Sequence, residues 1–184
     1  MKKSILITGA SSGLGAALAQ FYAHENVRLI LIGRDEDRLS SVAVQCRQKG
    51  AAVEFYVCDV TAREKMHKLL TACDASAPID LVICNAGISG GTGGTDVPRA
   101  LAQSHHIFDV NMMGVLNTLD PLLPSMMARQ AGQVAIISSL ASFLPLPNAP
   151  AYGASKTAVR LYGEALRGTL APFNVGVTVI CPGF

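Results

Sequence analysis

Short apolar runs alternate along the chain with longer stretches in which apolar positions recur at helical spacing. The runs at 27–32 and 175–180 are nearly continuous, which is typical of strands in a parallel sheet covered on both faces. Regular alternation of such strands with helices indicates a doubly wound α/β fold. We predict strands near 3–8, 27–32, 53–58, 79–84, 133–138 and 175–181, and helices near 13–24, 35–49, 62–75, 99–129 and 151–170.

A glycine-rich turn joins the first predicted strand to the first predicted helix. Glycines there allow a tight turn and a close approach of the backbone to a pyrophosphate, while the start of the helix offers unpaired N–H groups. This position between a strand and a helix favours a cofactor site over an ordinary loop. The residues that we expect to bind the phosphates are Gly9, Ser11, Ser12, Gly13, Leu14 and Gly15.

Tyr152 and Lys156 lie four residues apart in a predicted helix, so the two side chains share one helix face. A cation beside a phenol favours the ionised form and makes the hydroxyl a useful acid and base. Such a pair alone is more often a core aromatic beside a solvated charge. Ser139, at the end of an apolar strand upstream, makes the chemical interpretation stronger. Ser138 is the alternative, but adjacent strand residues point to opposite faces, so only one of the two can face Tyr152.

These motifs together resemble those of the short-chain dehydrogenase/reductase family, and the resemblance covers the whole chain. In this sequence they are Thr8-Gly-Ala-Ser-Ser-Gly-Leu-Gly15, Asn85-Ala-Gly87, Asn111, Ser139, Tyr152, Lys156 and Pro182-Gly183. The family usually has a second asparagine where this chain has Cys84. The resemblance implies a Rossmann-like sheet in which Asn85, Ala86, Gly87, Pro182 and Gly183 contact the cofactor.

The resemblance also implies reversible hydride transfer between a nicotinamide and a carbonyl or alcohol substrate. Tyr152 would be the general acid and base, and Ser139 would bind the substrate oxygen. Lys156 would favour the ionised form of Tyr152 and hold the nicotinamide ribose. Asn111, inside the predicted helix 99–129, would hold a water that links Lys156 to solvent.

The choice of cofactor depends on the end of the second strand, where an acidic residue binds a ribose diol and a basic one a 2′-phosphate. Here Gly33 replaces the acidic residue and Arg34 offers a planar donor fork, so we expect NADP rather than NAD. Asp35 either pairs with Arg34 or caps the next helix. Asp59, followed by Val60, resembles the adenine contact of the family, with a helix cap as the alternative.

Composition agrees with one soluble enzyme domain over residues 1–184. The chain is 50% hydrophobic and 15% charged, with a net charge of +2 and scattered basic residues, so we expect no nucleic-acid partner. No apolar run reaches the ~18 residues of a membrane span, and we expect a cytoplasmic protein. Five cysteines without a C-x-x-C pair, and histidines without chelating spacing, favour neither disulfides nor a metal site.

The family ordinarily continues beyond Pro182-Gly183 with a closing loop, a helix and a further strand, which this chain lacks. We therefore expect an uncovered sixth strand, an open substrate pocket and weak activity. A nucleotide-binding sensor and an inactive fragment remain alternatives, although a sensor has no need of Ser139, Tyr152 and Lys156. The glycine-rich stretch 89–95 lacks the ending of a P-loop and indicates a loop.

We also expect a homodimer or homotetramer, because the resemblance implies pairing through the helices that carry Asn111 and Tyr152. The apolar residues of these helices exceed what one sheet face needs to cover. They are Val115, Leu119, Leu122, Val159, Leu161 and Leu166.

Overall fold

Six parallel strands form one sheet in the computed structural model of the chain, which describes residues 3–90 and 97–183. The strands are β1 (Lys3–Thr8), β2 (Val27–Gly33), β3 (Ala52–Val57), β4 (Leu81–Cys84), β5 (Gly132–Ile137) and β6 (Val175–Ile180). Their order, β3-β2-β1-β4-β5-β6, confirms the predicted doubly wound sheet. The order reverses between β1 and β4, and ligands of such sheets bind outside the carboxyl ends of the strands at this point.

Eight α-helices within the described residues connect or follow the strands. They are α1 (Gly13–Tyr22), α2 (Glu36–Gln48), α3 (Arg63–Ser76), α4 (Val97–Ala102), α5 (Ser104–Phe108), α6 (Gly114–Leu119), α7 (Leu123–Ala128) and α8 (Pro150–Leu170). A π-helix, Asp109–Met113, and two 3₁₀ turns, Leu140–Ser142 and Ala171–Phe173, complete the regular structure. None of the helices described is long and apolar enough to cross a membrane.

Alternate residues of each central strand enter one of two cores. On β1, Ile5 and Ile7 pack with α1 and α2, whereas Leu6 packs on the opposite side with α3, α6, α7 and α8. Both sides of β2 are likewise buried from position 29 to position 33, which explains why its sequence is a nearly continuous apolar run. The two cores fix the positions of the strand ends, and the polar residues of the site lie on these ends.

The prediction of one long helix over 99–129 is wrong. Within the described part of this segment, a turn at Gln103, the π-helix and a turn at Asp120–Leu122 separate α4, α5, α6 and α7. Pro121 has no N–H for the helical ladder, and Pro124 occupies the first turn of α7. The π-helix lies where Asn111 makes side-chain hydrogen bonds to neighbouring segments. The predicted loop 89–95 lies outside the described residues from position 91 onward.

The apolar residues on which the prediction of an oligomer rested are mostly core residues of the protomer. Val115, Leu119, Leu122 and Val159 are buried against the sheet, and Leu166 packs on the same core. Leu161 is different, because it is 53% exposed on α8. The excess of apolar surface inferred from the sequence was therefore overestimated, since helices on a parallel sheet need a broad apolar stripe to cover it.

Candidate active site

The glycine turn between β1 and α1 has the backbone shape that the sequence predicts. Gly9 has a φ of +67°, and a Cβ on it would stand 2.8 Å from Ala86 Cα. A side chain at this position is therefore excluded both by conformation and by the approach of the segment that follows β4. The turn consequently lies directly against the Asn85-Ala86-Gly87 motif.

Thr8 and Asn85 hold the two motifs together. The Thr8 hydroxyl oxygen accepts hydrogen bonds from the backbone N–H groups of Asn85 and Ala86, both at 3.1 Å. Asn85 Nδ2 donates in return to the carbonyl oxygens of Thr8 and Gly9, at 3.0 and 3.2 Å. The sequence reasoning gave Thr8 no role of its own, although its place as the first residue of the glycine motif was the available signal.

A cavity of about 490 Å³ opens above the carboxyl ends of the strands at the β1/β4 reversal. Its walls include most of the residues that the sequence predicts for the cofactor. Asp35 and Arg38 also line this cavity, and neither was predicted to contact the cofactor. The predicted members are Gly9, Ser11, Ser12, Gly13, Leu14, Arg34, Asp59, Val60, Asn85, Ala86 and Gly87.

Asp59 and Asp35 differ in what they bind. Asp59 Oδ1 accepts bonds from Thr61 N and Oγ1 at 2.9 and 2.8 Å, and Asp59 Oδ2 lies 3.5 Å from Arg34 Nη1. Burial opposes ionisation of Asp59, but the bonds from Thr61 and the charge of Arg34 outweigh it and lower its pKa. Asp59 is not the N-cap of α3, which is Ala62. Asp35 does cap α2, because its Oδ1 accepts the N–H of Arg38 at 3.0 Å.

A second cavity of about 280 Å³ shares the walls Leu14, Asn85, Gly87 and Ile88 with the first. It therefore continues the larger cavity toward β5 and α8. The structure brings most of the predicted catalytic residues together here, with the predicted Pro182 and Gly183. The further residues that line it are Ser89, Ile137, Ser138, Ser139, Tyr152, Lys156, Pro182 and Gly183.

Lys156 is buried in this cavity although it carries a charge. Its Nζ donates to the carbonyl oxygen of Ile137 at 2.9 Å and lies 6.0 Å from the centre of the Tyr152 ring. Burial lowers the pKa of the Lys156 ammonium to about 8, and the neighbouring Cys181 acts in the opposite direction without outweighing it. A buried ammonium held at one carbonyl is typical of a functional site, because burial without a purpose costs stability.

The two serines at the end of β5 have different partners. Ser138 Oγ donates to the carbonyl oxygen of Lys156 at 2.8 Å, which ties the strand to α8. Ser139 Oγ accepts the N–H of Ala141 at 3.1 Å, and this bond does not use the hydroxyl hydrogen of Ser139. Ser139 can therefore donate to a ligand, whereas Ser138 already donates to the protein.

Asn111 lies at the centre of the π-helix and is almost fully buried. Its Oδ1 accepts the N–H of Ile88 at 2.8 Å, and its Nδ2 donates to the Ile88 carbonyl and to Ser155 Oγ at 3.0 and 2.9 Å. These bonds attach the π-helix to the segment after β4 and to α8. The sequence reasoning gave no role to Ile88 or Ser155, because these contacts form only in the folded chain.

Gly87 lies between Asn111 and Lys156. A Cβ on Gly87 would stand 3.2 Å from Lys156 Nζ and 3.3 Å from Asn111 Oδ1. Both groups therefore face the same small volume, and any side chain at position 87 would intrude into it.

Cys84, the departure from the family pattern, lies in the core and not in this volume. Complete burial raises the pKa of its thiol to about 12.

A dinucleotide crevice at the reversal of a parallel sheet, beside a Ser, Tyr and Lys set, defines the class of a nicotinamide-dependent α/β oxidoreductase. A family model described as short chain dehydrogenase matches residues 3–184. The chain belongs to the short-chain dehydrogenase/reductase family of oxidoreductases.

Individual relatives agree with this assignment. An uncharacterized oxidoreductase of Myxococcus xanthus is 38% identical over 183 residues, which are 99% of this chain and 72% of the relative. The crystal structure of NAD⁺-bound xylitol dehydrogenase superposes with a TM-score of 0.90 at 28% identity, over 99% of this chain and 70% of that one. The crystal structure of a metagenomic short-chain oxidoreductase in complex with NADP superposes with a TM-score of 0.89 at 29% identity, over 99% of this chain and 82% of that one. Relatives with NAD and with NADP both occur, so the family as a whole binds NAD(P).

Proposed function

We propose that the protein transfers a hydride between NADP(H) and a carbonyl or alcohol substrate. The observation that carries the proposal is the continuity of the two cavities. The larger one would hold the adenosine and pyrophosphate part of a dinucleotide, and the smaller one, which Ser139, Tyr152 and Lys156 line, would receive the nicotinamide end. When bound, the nicotinamide supplies or accepts the hydride, and the residues of this chain supply orientation and the proton.

Tyr152 is the proposed general acid and base. It lies in the first turns of α8 and lines the smaller cavity with its hydroxyl-bearing side chain only half-buried, so a substrate oxygen can approach it. Lys156 Nζ lies 6.0 Å from the centre of the Tyr152 ring, so an ammonium stands beside the proposed acid and base. Tyr152 would donate the proton in carbonyl reduction and accept it in alcohol oxidation.

Ser139 is the proposed ligand of the substrate oxygen. Its hydroxyl is held by the Ala141 N–H, which fixes the oxygen while the hydrogen stays available to a developing alkoxide. Asn111 and Gly87 support the lysine side of the site. The amide oxygen of Asn111 can accept one more bond, and Gly87 keeps the space between this oxygen and Lys156 Nζ open for a proton relay.

NADP is the proposed cofactor because a guanidinium, and no carboxylate, directly follows Gly33 at the end of β2. The side chain of Arg34 is 58% exposed and lines the larger cavity, so it can reach a 2′-phosphate. Its weak contact with Asp59, at 3.5 Å, is an exposed ion pair of the kind that contributes ~0–1 kcal/mol. A phosphate can therefore displace or share this partner.

Substitution of Tyr152 by Phe tests the catalytic assignment. Tyr152→Phe removes one hydroxyl and leaves the ring, so we expect turnover to fall by at least ~100-fold with little loss of NADPH affinity. The matched control is Tyr162→Phe, which removes the hydroxyl of another half-buried tyrosine on α8. NADPH-dependent reduction of a panel of ketones and aldehydes is the assay, and substantial turnover in Tyr152→Phe would refute the proposal.

A further inference from the structure

Arg38 is the second arginine at the mouth of the larger cavity, and its side chain runs back toward β2. It occupies the first turn of α2, where side chains point toward the N-terminus of the helix. Its Nε lies 3.2 Å from Asp35 Oδ2, and its backbone N–H is bound by the other oxygen of the same carboxylate. Asp35 therefore holds both the start of α2 and the guanidinium of Arg38 at the cavity mouth.

The donors of Arg38 are only partly used by this contact. A guanidinium carries five N–H groups, and the bond through Nε leaves the four on the Nη atoms for other acceptors. The side chain is 69% exposed and lines the same cavity as Arg34. Two planar cations on one rim form the kind of fork that binds a phosphate from two sides.

Ser11 adds a hydroxyl beside the same rim. An ideal Cβ on Gly33 would stand 3.2 Å from Ser11 Cβ and 3.3 Å from Ser11 Oγ, so the serine packs directly over the end of β2. Any larger residue at position 33 would push Ser11 away. The mouth of the cavity therefore presents a hydroxyl and two guanidinium groups within a short stretch of structure.

Carboxylates are also present, and they set the conditions for binding. Asp35 and Asp59 each contact one arginine, and Glu36 and Asp37 follow in the first turn of α2. A single arginine facing these charges would be a weak anion site. A second arginine offsets part of the repulsion, which is a reason for Arg38 to be required in addition to Arg34.

We infer that Arg38 is a second residue that binds the 2′-phosphate of NADP(H) and that it contributes to the selection of this cofactor over NAD(H). The inference rests on the proposed use of NADP(H). Beyond that proposed use, two elements would share the selection of the cofactor, the end of β2 and the first turn of α2.

Calorimetric titration of the 184-residue chain with NADP⁺ and with NAD⁺ tests this inference. We expect Arg38→Ala to weaken NADP⁺ binding about 10-fold and to change NAD⁺ binding less than about 2-fold, because one charge-assisted contact is lost. Lys68→Ala is the control for net charge, since Lys68 is exposed on α3 outside the residues that line the cavity. It should leave the ratio of the two affinities unchanged.

The outcomes separate this inference from the proposed function. In one outcome the unmutated chain prefers NADP⁺, Arg34→Ala loses this preference and Arg38→Ala retains it. That outcome would refute the role of Arg38 and leave the proposed cofactor standing. Equal affinities of the unmutated chain for the two cofactors would overturn both. A loss of NAD⁺ affinity in Arg38→Ala as large as the loss of NADP⁺ affinity would also refute the inference, because the effect would then be independent of the 2′-phosphate.

Discussion

Asn111 Nδ2 donates a hydrogen bond of 2.9 Å to Ser155 Oγ, which joins the π-helix to the helix that carries the proposed catalytic pair. Ser155 is fully buried and donates in turn to the carbonyl oxygen of Tyr152 at 2.8 Å. The segment after β4, the π-helix and the first turns of α8 are thus linked through one amide and one hydroxyl. We therefore expect the positions of Tyr152 and Lys156 to depend on this link.

Ser155→Ala removes the hydroxyl from this link. Because a buried N–H of Asn111 loses an acceptor, we expect the free energy of unfolding to fall by ~1–2 kcal/mol and turnover to fall by about 10-fold. Thr118→Val is the control, since it removes a buried hydroxyl that bonds the Gly114 carbonyl inside α6. Urea unfolding and initial rates measure the two effects. A similar loss of turnover in both variants would show that the effect is general destabilisation.

Lys156 should make stability depend on pH in a defined window. Its pKa is about 8 in the folded chain against an ordinary value of 10.5, so the unfolded chain binds more protons between these values. The contribution of Lys156 to the free energy of unfolding therefore rises with pH across this window and is constant below it. Relative to Lys156→Met, we expect the unmutated chain to gain about 2 kcal/mol in free energy of unfolding between pH 7.5 and pH 10.

Urea unfolding at several pH values measures this difference, and all other titrating groups cancel in it. Lys68→Met provides the comparison, because Lys68 is exposed on α3 and its substitution should give a difference that does not change with pH. A flat difference for Lys156→Met would mean that the ammonium is not buried in solution.

Gly87→Ala tests the shared space between Asn111 and Lys156. The new methyl would stand 3.2 Å from Lys156 Nζ and 3.3 Å from Asn111 Oδ1, so it crowds both polar groups. We expect turnover to fall by at least ~10-fold, with a loss of stability of ~1–3 kcal/mol. Gly168→Ala is the control, and we expect it to change stability in the opposite direction. Gly168 lies in α8 with no neighbour within 4 Å of a new Cβ, so alanine should stabilise the helix by ~0.5–1 kcal/mol.

The features predictable from the sequence are those that depend on neighbours in the chain. The turn at Gly9 and the shared face of Tyr152 and Lys156 follow from local geometry, and the structure shows both. For Asp35 the sequence left two alternatives open, a pair with Arg34 or a helix cap, and the structure shows the cap. The strand bounds also agree, because a strand buried on both faces requires a nearly continuous apolar run.

The features that escaped prediction depend on contacts between distant segments. Asn111, at the centre of the π-helix, bonds Ile88 and Ser155, and neither partner is close to it in the sequence. In the same way, Arg34 pairs with Asp59 on the neighbouring strand end rather than with the adjacent Asp35. Periodicity and spacing contain no information on such pairs, since they reflect only the face on which a residue lies.

The last prediction concerns assembly, for which we expect a homodimer through α8. Leu161 is 53% exposed on this helix, and Phe108 and Met113 are 38% and 44% exposed on the elements before α6. Isolated exposed apolar residues are common on monomers, so only substitution can show that Leu161 belongs to an interface. Leu161→Asp would bury a charge in an apolar contact and should dissociate the dimer.

Light scattering at micromolar concentration measures the mass of both forms. We expect the unmutated chain to give twice the mass of the protomer and Leu161→Asp to give the protomer alone. Val44→Asp is the matched control, because Val44 is 47% exposed on α2, on the other side of the sheet from α8. It should remain a dimer. A monomeric unmutated chain would refute the homodimer, and dissociation by both substitutions would show that α8 is not the specific contact.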